Sequence, residues 1–146
     1  MDKTLNLLAL ARKAGLAELG EEPVGAITRA LKGCLVLVAR DASDHTWRRA
    51  KSFVAGTDQQ CVRLPYTKEE VGFAIGRQEL AIAAITDAGM ALSIMESLGQ
   101  PERHKEVIEV LTEKKKRAQQ RQKEAKAHQR NKQRGRTQRS AGGKKQ

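Results

Sequence analysis

The chain has 146 residues, which suits one domain of ordinary size and leaves too little for two. Its net charge of +11 belongs to the last third, since residues 1–100 carry 12 Lys and Arg against 12 Asp and Glu, whereas residues 101–146 carry 16 against 5. So unbalanced a segment predicts a polyanionic partner. Nucleic acid is favoured over anionic lipid, because the segment has almost no apolar residues that could enter a membrane.

Cysteine usage and hydropathy predict a cytoplasmic protein with no membrane partner. Cys34 and Cys61 each lie inside an apolar run, and the first residues lack the order of a secretory signal. The longest apolar runs, residues 34–39 and 80–85, are far shorter than the roughly 20 residues that cross a bilayer. We expect both cysteines to be small, reduced core residues.

Helical spacing of apolar residues predicts two helices at the start of the chain. The first begins near Thr4 and ends at Gly15, a residue suited to the position after a helix. After a link over residues 16–19, the second has Pro23 at its first position and runs to about Lys32. The residues expected on the inner faces of these helices are Leu7, Leu10, Ala11, Ala14, Val24, Ile27 and Leu31.

Three apolar runs predict strands, at residues 34–39, 60–64 and 80–85, and the first and last are continuous enough to be covered on both faces. Helices are expected between and after them. The residues that would cap these helices are Ser43 or Asp44, Thr67 with Glu70, and Asp87, and the inner positions of the fourth helix are Val71, Ala74 and Ile75. Alternating strands and helices predict an α/β fold of three layers, α/β/α, that ends near residue 98.

Beyond that domain the chain becomes basic. Pro101 can begin one more helix with a narrow apolar stripe at Val107, Val110 and Leu111, so residues 99–113 are predicted to be a linker and short amphipathic helix. Residues 114–146 carry 14 Lys and Arg against one acid, Glu124. We expect this basic tail to be disordered or transiently helical until it meets RNA.

Four segments carry a resemblance to a known family. They are residues 8–15, 35–43, 71–76 and 83–89, with the sequences LALARKAG, LVLVARDAS, VGFAIG and AAITDAG. Together they resemble the bacterial branch of the ribosomal protein family that includes L-seven-Ae, L-thirty-e, S-twelve-e and Gadd-forty-five-like proteins. The resemblance covers residues 5–98. It implies a mixed four-stranded sheet between helices and binding of kink-turn RNA.

The resemblance also implies where RNA binds, at residues 20–26 and at residues 76–81. A carboxylate at the start of the second helix can accept hydrogen bonds from the amino edge of a guanine in a widened groove. The side chain of Leu80 would pack beside an extruded base, while Arg77 and Gln78 reach the RNA backbone or base edges. The candidate RNA-binding residues of the domain are Gly20, Glu21, Glu22, Gly25, Ala26, Arg29, Arg77, Gln78, Glu79, Leu80, Lys13 and Lys32.

One departure from the family bears on phosphate binding. The best-known members have Asn-Glu and, three residues later, Lys where this chain has Glu22, Pro23 and Ala26. We therefore expect Lys13, Arg29, Lys32 and above all the tail to neutralise phosphates. The expected tail contacts are Lys114, Lys115, Lys116, Arg117, Arg121, Arg130, Arg134 and Arg136. An alternative for Glu21 and Glu22 is that they only complement the helix dipole.

Catalysis has no recognisable motif in this sequence. No phosphate-binding loop, nucleophile elbow or metalloprotease motif is present, and His45, His104 and His128 lack metal-ligand spacing to Cys34 or Cys61. We expect no enzyme activity, cofactor, metal or small-molecule substrate. The four aromatic residues fall mostly inside predicted helices, which argues against a stacking platform for bases. They are Trp47, Phe53, Tyr66 and Phe73.

The sequence thus predicts a monomeric, non-catalytic RNA-binding protein, ribosomal or ribosome-associated, with a role in translation. The folded domain would recognise kink-turn-like structured RNA and the tail would bind rRNA phosphates. Two alternatives remain open. One is a protein-interaction adaptor on the same fold, which would dock through residues 101–111. The other is an RNA-recognition partner of an RNA-modifying enzyme.

Overall fold

The computed structural model describes the backbone of residues 2–145 and the side chains of residues 2–130. Its helices and strands are, in chain order, α1 (Lys3–Lys13), β1 (Ala17–Leu19), α2 (Glu21–Arg29), β2 (Leu35–Val38), α3 (Asp44–Val54), β3 (Gln60–Arg63), α4 (Lys68–Ala74), β4 (Ile82–Ile85), α5 (Ala88–Ser97) and α6 (Lys105–Lys145). The expected α/β fold is confirmed. Helices α2 and α3 pack together in one layer, and α1, α4 and α5 form the other.

The sheet has the strand order β1-β4-β2-β3. Strand β4 is antiparallel to both of its neighbours, whereas β2 and β3 are parallel. All residues of β2 and β4 are buried, as expected for central strands covered on both faces. This pairing brings the ends of β1, β2 and β3 to the same end of the sheet as the start of β4. We call this end the front edge, and it comprises residues 20–22, 39–41, 64–66 and 80–81.

Strand β1 was predicted to be a link. Its three residues are only half-buried, and they form a strand because Leu19 pairs with Ala83 of β4. A run of three residues is too short to show alternation, so its pairing depends on the neighbouring strand. Helix α2 begins at Glu21, which puts Pro23 at the third helical position instead of the first. Its N-cap is Gly20, whose φ of 98° favours glycine.

The predicted inner face of α1 is partly wrong. Leu10 is 53% exposed, Ala14 is exposed and Leu7 is half-buried, because a neighbouring face of the helix packs on the core. That face carries Thr4, Leu5, Leu8 and Ala11. The leucine-rich sequence offers two apolar faces, so spacing alone could not choose between them. In the second helix Val24 is fully buried, as expected, whereas Leu31 is 69% exposed because the helix has already ended at Arg29.

Local capping was predicted well. Gly15 and Gly76 follow α1 and α4 with φ of 73°, and Ser43 and Asp87 cap α3 and α5. Thr67 and Glu70 form the predicted capping box of α4. The inner positions of α4, Val71, Ala74 and Ile75, are buried. The helix caps depend on hydrogen bonds between neighbouring residues only, which explains why the sequence reveals them.

Residues 101–104 form a turn, so the last helix begins at Lys105 and not at Pro101. The side chain of Leu111 is fully buried, and Val107 and Ile108 pack against the same core. The chain divides into two compact units, Met1–Thr112 and Glu113–Gln146. The backbone of residues 114–145 is helical, whereas a disordered or transiently helical tail was expected. Within the described residues, no helix is both long and apolar enough to cross a membrane.

Candidate nucleic-acid interface

The two segments predicted to bind RNA meet at the front edge. The backbone N–H of Gly20 donates to the carbonyl of Ile82 at 3.0 Å, immediately beyond the paired residues Leu19 and Ala83. The start of α2 and the loop before β4 are therefore neighbours. This loop, residues 76–81, is called the front loop below.

The front loop packs directly on α4 at Gly72. A Cβ built on Gly72 would lie only 2.5 Å from the Cα of Glu79, so no larger residue fits without a shift of the backbone. Two backbone hydrogen bonds hold the same contact, from the Arg77 N–H to the Gly72 carbonyl at 2.8 Å and from the Leu80 N–H to the Lys68 carbonyl at 2.9 Å. The loop consequently presents Arg77, Gln78 and Glu79 to solvent on a fixed support.

Arg12 fixes the other end of this loop. Its Nη1 donates to the carbonyl of Ile75 at 2.6 Å, where α4 ends. The guanidinium thus satisfies a carbonyl that the helix itself leaves without a partner. Sequence analysis placed no role on Arg12, since its only local signal is a cation near the end of a helix.

Two predicted contact residues prove to be internal supports. Leu80 is only 5% exposed and belongs to the core, so its side chain does not offer a surface to an extruded base. Gly25 is buried, and a Cβ there would lie 3.2 Å from the ring of Phe53. Both residues shape the front edge from below, because the fold uses them to pack the loop and α2.

The two acidic residues at the start of α2 differ in their surroundings. The carboxylate of Glu21 forms an ion pair with Nε of Arg49 on α3, and this guanidinium also lies 5.2 Å from the ring of Phe53. Glu22 is exposed, and no ion pair or hydrogen bond of the described side chains involves its carboxylate. Glu22 is therefore the carboxylate that the front edge offers to a ligand, although both still complement the helix dipole.

The expected cations are not gathered at the front edge. Lys13 precedes β1 and Lys32 precedes β2, so both lie at the opposite end of the sheet from Gly20. Arg29, in the last turn of α2, directs its guanidinium back along the helix to within 3.1 Å of a Cβ placed on Gly25. Lys13 and Lys32 therefore cannot supplement the start of α2 directly.

A groove of about 830 Å³ lies beside the front loop and carries mostly negative charge. Phe73 is 77% exposed there, because the inner face of α4 is formed by Val71, Ala74 and Ile75 instead. The groove is lined by Asp2, Leu5, Tyr66, Glu69, Glu70, Phe73, Arg77, Gln78 and Glu79. Four carboxylates against one guanidinium disfavour phosphate on this side of the loop.

No family model matches the sequence. The chain is 34% identical over 89 residues to the RNA-binding protein YlxQ of Enterococcus faecium, and the match covers 61% of this chain and 84% of the relative. The chain belongs to the YlxQ family. YlxQ is an RNA-binding protein of the L-seven-Ae type, which confirms this part of the resemblance, whereas the ribosomal assignment stays a prediction.

Solved structures show the same fold as this YlxQ-family chain. A protein with unknown function from Bacillus halodurans is 25% identical with a TM-score of 0.63, and the match covers 68% of this chain and 99% of that one. A 15.5kD RNA binding protein from Giardia lamblia is 19% identical with a TM-score of 0.56, over 68% of this chain and 84% of that one. The α/β architecture with a mixed four-stranded sheet is thus shared.

The tail cations of the YlxQ-family chain lie in the second compact unit. Lys116, Arg117, Arg121 and Arg130 are exposed, whereas Lys114 and Lys115 are half-buried. Arg134 and Arg136 lie outside the described side chains. Whether these residues contact phosphate stays a prediction.

The thiols and histidines show no sign of a reactive or metal-binding centre. Burial raises the pKa of the Cys61 thiol from 9.0 to about 12, so this thiol remains protonated at neutral pH. Cys34, also half-buried, donates a weak hydrogen bond from Sγ to the Thr86 carbonyl at 3.5 Å. Among the side chains that the structure describes, no group of three His, Cys, Asp or Glu residues could hold a metal ion.

Proposed function

We propose that this protein binds kink-turn-like structured RNA at its front edge, as a ribosomal or ribosome-associated protein of the cytoplasm. The single observation that carries the proposal is the hydrogen bond from Gly20 to Ile82, which places the start of α2 beside the front loop. The chain belongs to the YlxQ family, and its relative in Enterococcus faecium is named an RNA-binding protein. This supports RNA as the partner.

The chemistry of the edge suits a widened RNA groove better than a regular duplex. The exposed carboxylate of Glu22 can accept hydrogen bonds from the amino edge of a guanine. A phosphate group offers no such donor. Arg77 and Gln78 stand on the front loop, where they can donate to the RNA backbone or to base edges. Because Gly72 holds the loop against α4, these groups are presented in a fixed arrangement.

Affinity has a different source from selectivity in this proposal. The start of α2 lacks the expected cations, since Lys13 and Lys32 lie at the far end of the sheet. Residues 114–146 contain 14 Lys and Arg, and we assign them to rRNA phosphates. The folded unit would then select RNA shape while the tail supplies most of the salt-dependent binding energy.

Fluorescence anisotropy with the full-length protein tests the assignment. The probes are a synthetic kink-turn RNA and a fully paired RNA of equal length. We expect Glu22→Gln to reduce the preference for the kink-turn by about tenfold, the value of one charge-assisted hydrogen bond. Glu21→Gln is the matched control, because its carboxylate is occupied by Arg49. Equal affinity of the unaltered protein for both RNAs would overturn kink-turn recognition.

A protein-interaction role on the same fold is a second candidate, and one observation favours it. Phe73 is 77% exposed in a groove rich in carboxylates, which suits a basic, partly apolar peptide. The helix that was expected to dock such a partner is not available in this way, because Leu111 is fully buried in its own unit. A pull-down of protein partners, with Phe73→Ala as the control variant, separates this role from RNA binding. The variant should lose the protein partner and keep its affinity for RNA.

A further inference from the structure

A second pocket, of about 250 Å³, lies at the β3 side of the front edge and is strongly cationic. It is lined by Arg40, Arg63, Leu64, Pro65, Leu98, Gln100, Arg103 and His104. None of these lining residues is acidic, and the pocket shares no residue with the start of α2 or with the front loop.

Three separate segments bring the arginines of this pocket together. Arg40 follows β2, and its backbone N–H donates to the Tyr66 carbonyl at 2.7 Å. Arg63 ends β3 and its guanidinium lies 4.6 Å from the centre of the Trp47 ring. Arg103 belongs to the turn before α6 and donates from Nη1 to Oε1 of Gln100 at 3.4 Å.

The charge of these guanidiniums is not neutralised within the protein. None of the three arginines forms an ion pair with the described side chains. His104 is half-buried beside them, and burial, followed by the charge of Arg103, lowers its pKa. Three cations around a small cavity leave a positive potential that an anion of matching size would neutralise.

We propose that this pocket binds a phosphate of the RNA backbone, as a contact separate from those at the start of α2 and at the front loop. The inference rests on the proposed RNA-binding function. Guanidiniums match phosphate oxygens through paired N–H donors, which makes phosphate the natural ligand class. The pocket lies three strands from β1, which is about 14 Å at the usual strand spacing. An RNA helix that contacts Glu22 can therefore reach Arg40 and Arg103 along the same edge.

The first test compares two variants of the full chain that lose the same charge. One combines Arg40→Gln with Arg103→Gln, and it leaves Arg63 in place so that the packing of Trp47 is unchanged. The control combines Lys3→Gln with Arg48→Gln, two exposed cations that do not line the pocket. Removal of one phosphate-binding site should reduce the slope of log K against log salt by about 0.7 to 0.9, and affinity for the kink-turn RNA by about tenfold. The control should change both much less.

Each outcome decides one question. Equal slopes for the two double variants, with RNA still bound, would overturn the pocket while leaving the proposed function intact. Absence of RNA binding by the unaltered protein would overturn both. The ring-proton NMR signal of His104 gives a reading that needs no variant. It should shift on addition of stoichiometric RNA. A shift with inorganic phosphate but none with RNA would show a phosphate site that RNA does not use, and would overturn the proposal.

Discussion

Gly72 and Glu79 are in direct backbone contact, so close that a Cβ on residue 72 would lie 2.5 Å from the Cα of Glu79. The contact joins α4 to the front loop, and the loop in turn leads into β4 beside the start of α2. Glycine is needed here because of this close approach and not because of an unusual φ angle. The position of Arg77 and Gln78 at the front edge thus depends on the smallest side chain of the helix that precedes them.

Replacing Gly72 with alanine should therefore displace the front loop. We expect Gly72→Ala to lower the free energy of unfolding by about 1 to 3 kcal/mol, the usual cost of overpacking, and to weaken discrimination between kink-turn and paired RNA. Urea unfolding and anisotropy measure the two effects. Gly25→Ala is the comparison, because its Cβ would meet the flexible ends of Arg29 and Phe53 at 3.1 and 3.2 Å. A smaller loss of stability for Gly72→Ala than for Gly25→Ala would contradict this account.

Gln59 is a buried polar side chain that joins three segments. Its Oε1 accepts from the Gly33 N–H at 2.9 Å, and its Nε2 donates to the Thr28 carbonyl at 3.1 Å and to Oγ1 of Thr57 at 3.2 Å. Gln59→Ala should lower the free energy of unfolding by about 3 kcal/mol, because it leaves buried backbone groups without partners. Gln60→Ala, at the next residue and the first of β3, should cost under about 1 kcal/mol in the same chemical denaturation. Similar values for both would refute the bridging role.

The half-buried thiol of Cys61 predicts a loss of stability at alkaline pH. Its folded pKa of about 12 exceeds the ordinary value of 9.0, so the unfolded chain releases this proton first. Above pH 9 the folded state holds more protons than the unfolded state, and stability falls as pH rises toward 12. The contribution is at most about 1.4 kcal/mol per pH unit. Unfolding of Cys61→Ala over the same range, compared with the unaltered protein, isolates it, and parallel pH profiles would count against it.

Deleting residues 114–146 removes 14 of the 28 Lys and Arg but leaves the buried Leu111 in place. We expect the slope of log K against log salt to fall by about 0.7 to 0.9 for each phosphate that the tail no longer neutralises, while the preference for kink-turn RNA persists. Binding assays between about 50 and 200 mM salt measure the change. A partial control, with Lys114, Lys115, Lys116 and Arg117 changed to glutamine, should fall between the two proteins. An unchanged slope after deletion would mean that the tail does not bind phosphate.

Sequence reasoning succeeded where structure depends on neighbouring residues. The capping box at Thr67 and Glu70, and the helix end before Gly15, follow from hydrogen bonds over a few residues. The continuous apolar runs likewise revealed the two central strands, because a strand covered on both faces needs apolar residues at every position. These elements were enough to predict the α/β architecture.

The errors arose where packing between distant segments decides. β1 is a strand only because β4 lies beside it, and the buried face of α1 was chosen by its packing partners. The same applies to the candidate site. Leu80 was expected to pack beside an extruded base, yet its side chain is buried in the core, and Lys32 lies at the end of the sheet away from Glu22. Sequence offers no signal for which end of the sheet a residue occupies until the strand order is known.

Arg12 gives the front loop a second attachment, since it donates to the carbonyl of Ile75 from the end of α1. The loop is thereby held by its own helix at one side and by a different helix at the other. A ligand that presses on Arg77 or Gln78 would have to strain both attachments together. RNA bound at this edge would consequently restrain α1 and α4 as well as the loop, and it would raise the free energy of unfolding by an amount that grows with the RNA concentration relative to Kd.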